Sequence, residues 1–259
     1  MILDEIAAKT KIRVEKAKKK VSAEQMKKIA ESQNPDTGFP FEKALAKSGV
    51  SFICEVKKAS PSKGIIAEEF DYLSIAGEYE RAGADAISVL TEPDYFLGDI
   101  EYLREIHRQV GIPLLRKDFV IDEYMIYEAK AAGASVVLLI CALLEENVIR
   151  DYIRICDSLG LSALVEAHDE KEIQKAVRAG ARIIGVNNRN LKDFTVDIHN
   201  GMRLRKCVPE NILFVAESGI KAREDIMELE KGNVNAVLIG ETLMRSEDKK
   251  AMLNQLKGE

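Results

Sequence analysis

The chain has 259 residues, of which 46% are hydrophobic and 31% charged, and its net charge is -5. This length suits one (β/α)8 barrel, which typically takes about 250 residues, so residues 1–259 are treated as a single domain. The negative net charge gives no reason to expect nucleic-acid binding. The longest apolar run, residues 136–144, is too short to span a membrane. Four scattered cysteines without a C-x-x-C pair suit reduced thiols. We therefore expect a cytoplasmic monomer whose partner is a small molecule.

Residues 1–48 precede the first predicted strand and form an N-terminal helical extension. Apolar positions recur at helical spacing over residues 2–32, which predicts one or two amphipathic helices. A turn is predicted at residues 34–38, and a further short helix at residues 41–46. Because a barrel does not need this extension and its apolar stripe must be covered, we expect it to pack on the face that carries the active site.

The rest of the chain repeats one pattern, in which a helix end is followed by a glycine and a continuous apolar run. The clearest copies contain Gly83, Gly133 and Gly180, each placed where a helix ends in a left-handed residue. An uninterrupted apolar run is typical of a parallel strand covered on both faces. With weaker copies included, strands are predicted near residues 51–57, 85–90, 112–117, 135–140, 161–166, 182–187, 212–216 and 235–239.

Helices are predicted between these strands, near residues 71–82, 98–109, 121–132, 144–159, 169–179, 196–206, 220–230 and 248–257. The sequence lacks a dinucleotide-binding glycine fingerprint. Eight βα units of this kind favour an α/β fold that closes into a (β/α)8 TIM barrel over a doubly wound sheet.

Charged side chains mark the predicted ends of the odd-numbered strands. Chemistry in such barrels takes place at the carboxyl ends of the strands, where inward side chains from alternate strands stack in layers of four. We predict that one such layer at the barrel mouth consists of Lys57, Lys117, Glu166 and Glu217. Glu55 lies beside this layer on the first strand, and Asn187 ends the sixth. A buried ion-pair network is the structural alternative, but apolar side chains would usually be as stable there, so catalysis explains the charges better.

The loops after the seventh and eighth strands are the usual phosphate site in these barrels. Here they contain Ser218-Gly219 and Gly240-Glu241, and in each loop a glycine is predicted to open a helix. Free backbone N–H groups and the helix dipole at such a position favour an anion. Lys58 and Ser60, from the loop after the first strand, are expected to converge on the same phosphate.

The three histidines, His107, His168 and His199, are predicted to lie in helices or at helix starts and not at strand ends. Their scatter matches no metal-ligand spacing such as H-E-x-x-H. They are interpreted as structural or solvent-exposed, and no metal site is expected.

Six motifs, taken together and in order, resemble the indole-3-glycerol phosphate synthase family of tryptophan biosynthesis. They lie at residues 55–64, 115–119, 164–166, 185–191, 217–220 and 238–240. The resemblance covers nearly the whole chain, including the extension. It implies a carboxy-lyase that closes 1-(2-carboxyphenylamino)-1-deoxyribulose 5-phosphate to indole-3-glycerol phosphate, with loss of carbon dioxide and water and without a cofactor.

The resemblance also implies a role for individual residues. The catalytic set of the family falls on Glu55, Lys57, Lys117, Glu166, Asn187, Glu217 and Ser218. The phosphate site falls on Lys58, Ser60, Gly219, Gly240 and Glu241, and the anthranilate end of the substrate on Phe119, Arg189 and Leu191. Glu241 departs from members that carry a small hydroxyl residue there, so its backbone N–H is expected to face the phosphate while its carboxylate points away.

The chemistry explains why these residue types are needed. Ring closure converts a ketone into an alkoxide, and Lys117 is the candidate proton donor. Dehydration then needs one group that protonates the departing hydroxyl and another that takes up a proton, for which Lys57 and either Glu166 or Glu55 are suited.

Two other classes of protein are the alternatives to this interpretation. A phosphosugar isomerase such as phosphoribosylanthranilate isomerase would share the phosphate loops, but it would not require two lysines and three glutamates at the strand ends. A binding or scaffold protein would have little use for five inward charges.

Overall fold

A closed barrel of eight parallel strands forms the centre of the protein, which the computed structural model describes over residues 2–189 and 195–259. The barrel strands are β1 (Ser51–Val56), β2 (Ala86–Leu90), β3 (Leu114–Lys117), β4 (Val136–Ile140), β5 (Ser162–Ala167), β6 (Ile183–Asn187), β7 (Leu213–Glu217) and β8 (Ala236–Ile239). They follow one another around the barrel in sequence order, and β8 pairs with β1. The predicted (β/α)8 fold is confirmed, with each strand placed within two residues.

Helices fill the connections and the extension, as predicted. Those of the extension are α1 (Ile2–Lys20), α2 (Ala23–Glu31) and α3 (Pro40–Leu45). The others are α4 (Tyr72–Arg81), α5 (Ile100–Gln109), α6 (Glu123–Ala131), α7 (Glu146–Ser158), α8 (Glu170–Ala179), α9 (His199–Arg205), α10 (Arg223–Lys231), α11 (Glu241–Arg245) and α12 (Lys249–Lys257). Gly83, Gly133 and Gly180 are left-handed, with φ of 77°, 89° and 91°. This conformation ends each preceding helix, as the repeated pattern predicted.

Two local features differ from the prediction. Gly219 does not open a helix, because α10 begins only at Arg223, where Asp225 accepts hydrogen bonds from the backbone N–H groups of Lys221 and Ala222. The loop after β1 contains a short antiparallel ribbon, Ala59–Ser60 paired with Gly64–Ile65, which the sequence did not reveal.

Side chains fill the barrel interior in layers, and these layers correct the predicted membership of the charged layer at the barrel mouth. Ile53, Leu115, Leu164 and Val215, from the four odd-numbered strands, are fully buried in one apolar cluster. Side chains on one face of a strand recur every second residue, so the next inward residues on the same strands are Glu55, Lys117, Glu166 and Glu217. Glu55 is therefore the fourth member of the charged layer. Lys57, which the sequence analysis placed there, follows the end of β1, two residues beyond Glu55.

The extension packs on the barrel and reaches its carboxyl-terminal face. Arg13 of α1 donates hydrogen bonds to Asp118 Oδ1 (2.6 Å) and to the carbonyl oxygen of Thr91 (2.9 Å). Asp118 directly follows Lys117, so α1 is tied to the end of β3. At the other end of the barrel, Phe41 and Leu45 of α3 are fully buried in the interior cluster. Over the described parts of the chain, no helix combines the length and apolar character that crossing a membrane requires.

Candidate active site

A cavity of about 970 Å³ opens at the carboxyl ends of the strands. Of the residues predicted for the site, those that line it are Glu55, Lys57, Ser60, Lys117, Phe119, Glu166, Asn187, Arg189, Glu217, Ser218, Gly219, Gly240 and Glu241. Lys58 does not line the cavity, whereas Lys63, from the same loop, does. Leu191 lies outside the described residues. Apart from Lys58 and Leu191, the predicted residues therefore line one cavity, and Lys63 adds a further cation from the loop that carries Lys58.

Lys117 forms the centre of the charged layer. Its Nζ lies 2.6 Å from Glu217 Oε2 and 3.3 Å from Glu166 Oε2, and the two carboxylate side chains are only 1% and 4% exposed. A second pair forms next to it, where Lys57 Nζ lies 2.5 Å from Glu55 Oε2. Charges buried this deeply require partners, since an unpaired ion out of water costs several kcal/mol. The site supplies those partners within itself.

The two carboxylates beside Lys117 differ in their protonation. Burial raises the pKa of Glu166, but the charges of Lys117 and His168 outweigh this and hold the pKa well below its ordinary value. Burial, together with repulsion from Glu166, raises the pKa of Glu217 to about 7 despite Lys117. Burial alone would lower the pKa of Lys117, but Glu217 and Glu166 raise it well above its ordinary value. The same burial therefore acts differently on the two carboxylates, and Glu166 is the more readily ionised of the two.

Two glycines leave room for the carboxylates. A Cβ at position 185, on β6, would lie 2.3 Å from Glu217 Oε1. A Cβ at position 240 would lie 2.2 Å from Glu55 Oε2 and 2.9 Å from Lys57 Nζ. Gly240 was predicted as a phosphate residue, but no sequence pattern indicates that either glycine makes space for a carboxylate.

The loop after β7 has an unusual backbone at the predicted phosphate end. Ser218 and Gly219 are both left-handed, with φ of 67° and 87°. Asn188, which the sequence analysis missed, donates from Nδ2 to the carbonyl oxygen of Ser218 (3.1 Å) and accepts from the N–H of Gly201 (2.9 Å). Asn188 is 3% exposed and fixes this loop against the end of β6 and the start of α9. A tight turn of this kind can present backbone N–H groups to an anion.

The carboxylate of Glu241 is surrounded by cations. It lies 3.2 Å from Arg245 Nε, 3.5 Å from Lys63 Nζ and 3.7 Å from Arg189. Gly240 caps α11, so Glu241 is the first residue of that helix and its backbone N–H is not used within it. The geometry is compatible with the expectation that the N–H, and not the carboxylate, faces an anion.

An aromatic pair lines another part of the cavity. The ring centroids of Phe119 and Phe96 are 6.0 Å apart, and Ile6 of α1 also lines the cavity. Phe96 is positioned by Glu92, a buried residue whose carboxylate accepts hydrogen bonds from the N–H groups of Asp94, Tyr95 and Phe96. Neither Phe96 nor Glu92 was predicted to belong to the site. The only sequence signal that points to them is Glu92 itself, an acidic residue in the loop that follows β2.

His168 lies at the start of α8, as predicted, but it is also next to a strand end. It follows the last residue of β5 directly, and its Nε2 lies 3.3 Å from Glu166 Oε1. Burial would lower the pKa of His168, but Glu166 and Glu172 raise it to about 10. The prediction that none of the histidines stands at a strand end is therefore wrong for this residue.

Comparisons with known proteins agree with this geometry. The family model described as indole-3-glycerol phosphate synthase matches residues 3–256. The indole-3-glycerol phosphate synthase of Ruminiclostridium cellulolyticum is 58% identical over 258 residues, which cover 100% of this chain and 99% of that protein. The synthase of Endomicrobium trichonymphae is 55% identical over 257 residues, covering 99% of this chain and 100% of that protein.

Distant solved structures share the barrel. KGPDC from Streptococcus mutans has a TM-score of 0.65 at 10% identity, covering 82% of this chain and 97% of that one. A phosphoribosylanthranilate isomerase from Thermotoga maritima has a TM-score of 0.57 at 15% identity, covering 81% of this chain and 100% of that one. Likeness at such low identity concerns the fold alone. The match of the family model over residues 3–256, together with relatives above 50% identity along the whole chain, shows that this chain belongs to the indole-3-glycerol phosphate synthase family.

Proposed function

We propose that the cavity converts 1-(2-carboxyphenylamino)-1-deoxyribulose 5-phosphate to indole-3-glycerol phosphate. The observation that carries this proposal is the placement of Lys117 between Glu166 and Glu217, at 3.3 Å and 2.6 Å. Such a cluster combines a charged proton donor with an ionised carboxylate at the base of one cavity. The reaction requires both, because it first protonates an oxygen and later removes a proton from carbon or nitrogen.

The two ends of the substrate differ, and so do the two sides of the cavity. The phosphate is assigned to the backbone N–H groups at Gly219 and Gly240–Glu241, with Ser60 and Lys63 nearby. The left-handed loop and the start of α11, where no described side chain accepts the N–H groups of the first turn, support this assignment. The aromatic ring is assigned to the side that carries Phe96 and Phe119.

Ring closure is assigned to Lys117. The aromatic carbon that bears the carboxylate attacks the ketone, the carbonyl electron pair moves to oxygen, and the ammonium of Lys117 protonates the alkoxide. The raised pKa of Lys117 does not prevent this transfer, because an alkoxide is a stronger base than an amine and therefore takes the proton from the ammonium. Loss of carbon dioxide then returns its bonding electrons to the ring.

Dehydration is assigned to Lys57 and Glu166. Lys57 protonates the departing hydroxyl, which leaves as water, and Glu166 takes up the proton that is lost as the indole double bond forms. Glu166 is assigned this role because Lys117 and His168 keep its carboxylate ionised despite its burial, so that it can accept a proton. Asn187 and Ser218, at neighbouring strand ends, complete the proposed catalytic set, and Arg189 is assigned to the anthranilate end.

The test is direct turnover of the carboxyphenylamino substrate, followed by the appearance of indole fluorescence. The wild-type protein is expected to form indole-3-glycerol phosphate, and Lys117→Met is expected to abolish it while the fold is retained. A wild-type protein that binds the phosphorylated substrate but releases no indole product would refute the proposal and would favour an isomerase.

The monomeric state and the cytoplasmic location also belong to the proposal. Light scattering of the purified protein tests the first, since a mass near twice the 28.8 kDa of one chain would contradict it. Cell fractionation tests the second.

A further inference from the structure

Glu166 has a second cationic neighbour that does not line the cavity. The Nε2 atom of His168 lies 3.3 Å from Glu166 Oε1, while Lys117 Nζ lies 3.3 Å from the other oxygen, Oε2. Each oxygen of the carboxylate thus faces a positive group: Lys117 donates a hydrogen bond, whereas His168 acts through its charge, since its Nε2 has no hydrogen-bond partner among the described residues. His168 itself is absent from the residues that line the cavity, so it stands behind Glu166 and not beside a bound substrate.

The imidazole of His168 is fixed from its other side by α8. The Oε2 atom of Glu172 lies 3.1 Å from Nδ1 of the ring and also accepts the backbone N–H of His168 at 2.8 Å. Glu172 is held in turn by the start of the helix, because Asp169 caps it and accepts the N–H of Glu172 at 2.9 Å. The ring therefore has little freedom to turn away from Glu166.

The charges around His168 favour the imidazolium. Glu166 faces it from β5 and Glu172 from α8, while the nearby Lys175 directs its Nζ to the carbonyl oxygen of Cys141 at 3.1 Å. Burial opposes the charged ring, but the two carboxylates prevail and raise the pKa of His168 to about 10. An imidazole carries a positive charge at pH values below its pKa, so the ring of His168 is charged at neutral pH.

We propose that His168, anchored by Glu172, is a positioning residue that fixes the orientation and the charge of Glu166 for its role as the base. The proposal rests on the proposed function of the cavity and deepens it, since it explains how a carboxylate as deeply buried as that of Glu166 stays ionised. His168 acts only through Glu166. Without it, one oxygen of Glu166 loses its charged partner while the burial of the carboxylate remains.

A purely structural role would have a different consequence. If His168 merely joined the end of β5 to the start of α8, its replacement would lower the melting temperature and leave the pH dependence of catalysis unchanged. The pH profile of kcat separates the two roles. A carboxylate with a depressed pKa stays ionised as the pH falls, so loss of the imidazolium raises that pKa and moves the acid limb of kcat to higher pH.

The experiment compares kcat against pH for the wild-type protein, His168→Gln and Glu172→Gln. Removal of an opposite charge at this distance shifts a buried pKa by about 1 unit or more, so we expect the acid limb of His168→Gln to rise by at least that amount. Glu172→Gln keeps the ring but removes its anchor, and we expect a smaller shift in the same direction. His107→Gln, on the exposed face of α5, is the matched control and should leave the profile unchanged.

Nuclear magnetic resonance of the ring nitrogens provides a readout that does not depend on turnover. The chain has only 3 histidines, so single substitutions assign each ring. We expect the ring of His168 to remain an imidazolium at neutral pH and to become easier to deprotonate in Glu172→Gln. A neutral His168 ring at neutral pH, or an unshifted acid limb in a folded His168→Gln, would overturn the proposal. Failure of the wild-type protein to turn over substrate would instead refute the proposed function and leave the charge of His168 measurable.

Discussion

Gly185→Ala is the sharpest test of how the charged layer is packed. The added Cβ would lie 2.3 Å from Glu217 Oε1 and 3.1 Å from Leu164 Cδ1. Ordinary van der Waals contact begins near 3.4 Å, so the carboxylate must move by about 1 Å. Because the clashing atom is the end of a side chain and not backbone, Glu217 will move while β6 stays in place.

The displacement should affect catalysis more than stability. Glu217 lies 2.6 Å from Lys117, and moving it disturbs the position of the proposed proton donor. A misplacement of about 1 Å can cost about 100-fold in rate, so we expect kcat to fall by that order. Adding a methyl group to a packed interior generally lowers the free energy of unfolding by about 1–3 kcal/mol. The lower end of this range is expected here because the carboxylate can move away from the new methyl group.

The assay measures kcat and KM by indole fluorescence together with the thermal midpoint. Gly111→Ala is the matched control, since a Cβ there meets nothing closer than Glu80 Oε1 at 3.6 Å, outside the cavity. It should change neither rate nor midpoint appreciably. If Gly185→Ala were folded and kept kcat within about twofold of wild type, the inference that position 185 must be empty for Glu217 would be wrong.

Three further predictions concern other parts of the site. Lys117→Arg keeps the charge but gives up a proton poorly, so kcat should fall at least ~100-fold while the binding of an unreactive analogue changes less; near-full kcat would exclude the proton-donor role. Gly219→Val should raise KM more than it lowers kcat, because phosphate contacts are shared by substrate and transition state; the reverse pattern in steady-state kinetics would contradict the phosphate assignment. Deleting residues 1–30 removes the Arg13 contact with Asp118 and should weaken substrate binding, so an unchanged KM in a folded truncation, checked by circular dichroism, would count against a role for the extension.

Much of this protein follows from the sequence because its signals are local. The helix ends at Gly83, Gly133 and Gly180 depend on the backbone freedom of single residues, and the continuous apolar runs indicate strands covered on both faces. Eight such units favour the closed barrel, which in turn brings the strand ends together. The residues at those ends could therefore be assigned to one site before any distance was known.

The tertiary structure alone decided which of these residues touch. Register around the closed barrel placed Glu55 and not Lys57 in the charged layer, and the folded loop after β1 brings Lys63 and not Lys58 to the cavity. The space for Glu217 at Gly185 arises between two strands that are distant in the chain. The contact of His168 with Glu166 depends on the direction in which the histidine side chain points. No periodicity encodes such contacts, because pairing and protonation depend on distances of a few ångströms and on burial, which only the packed barrel defines.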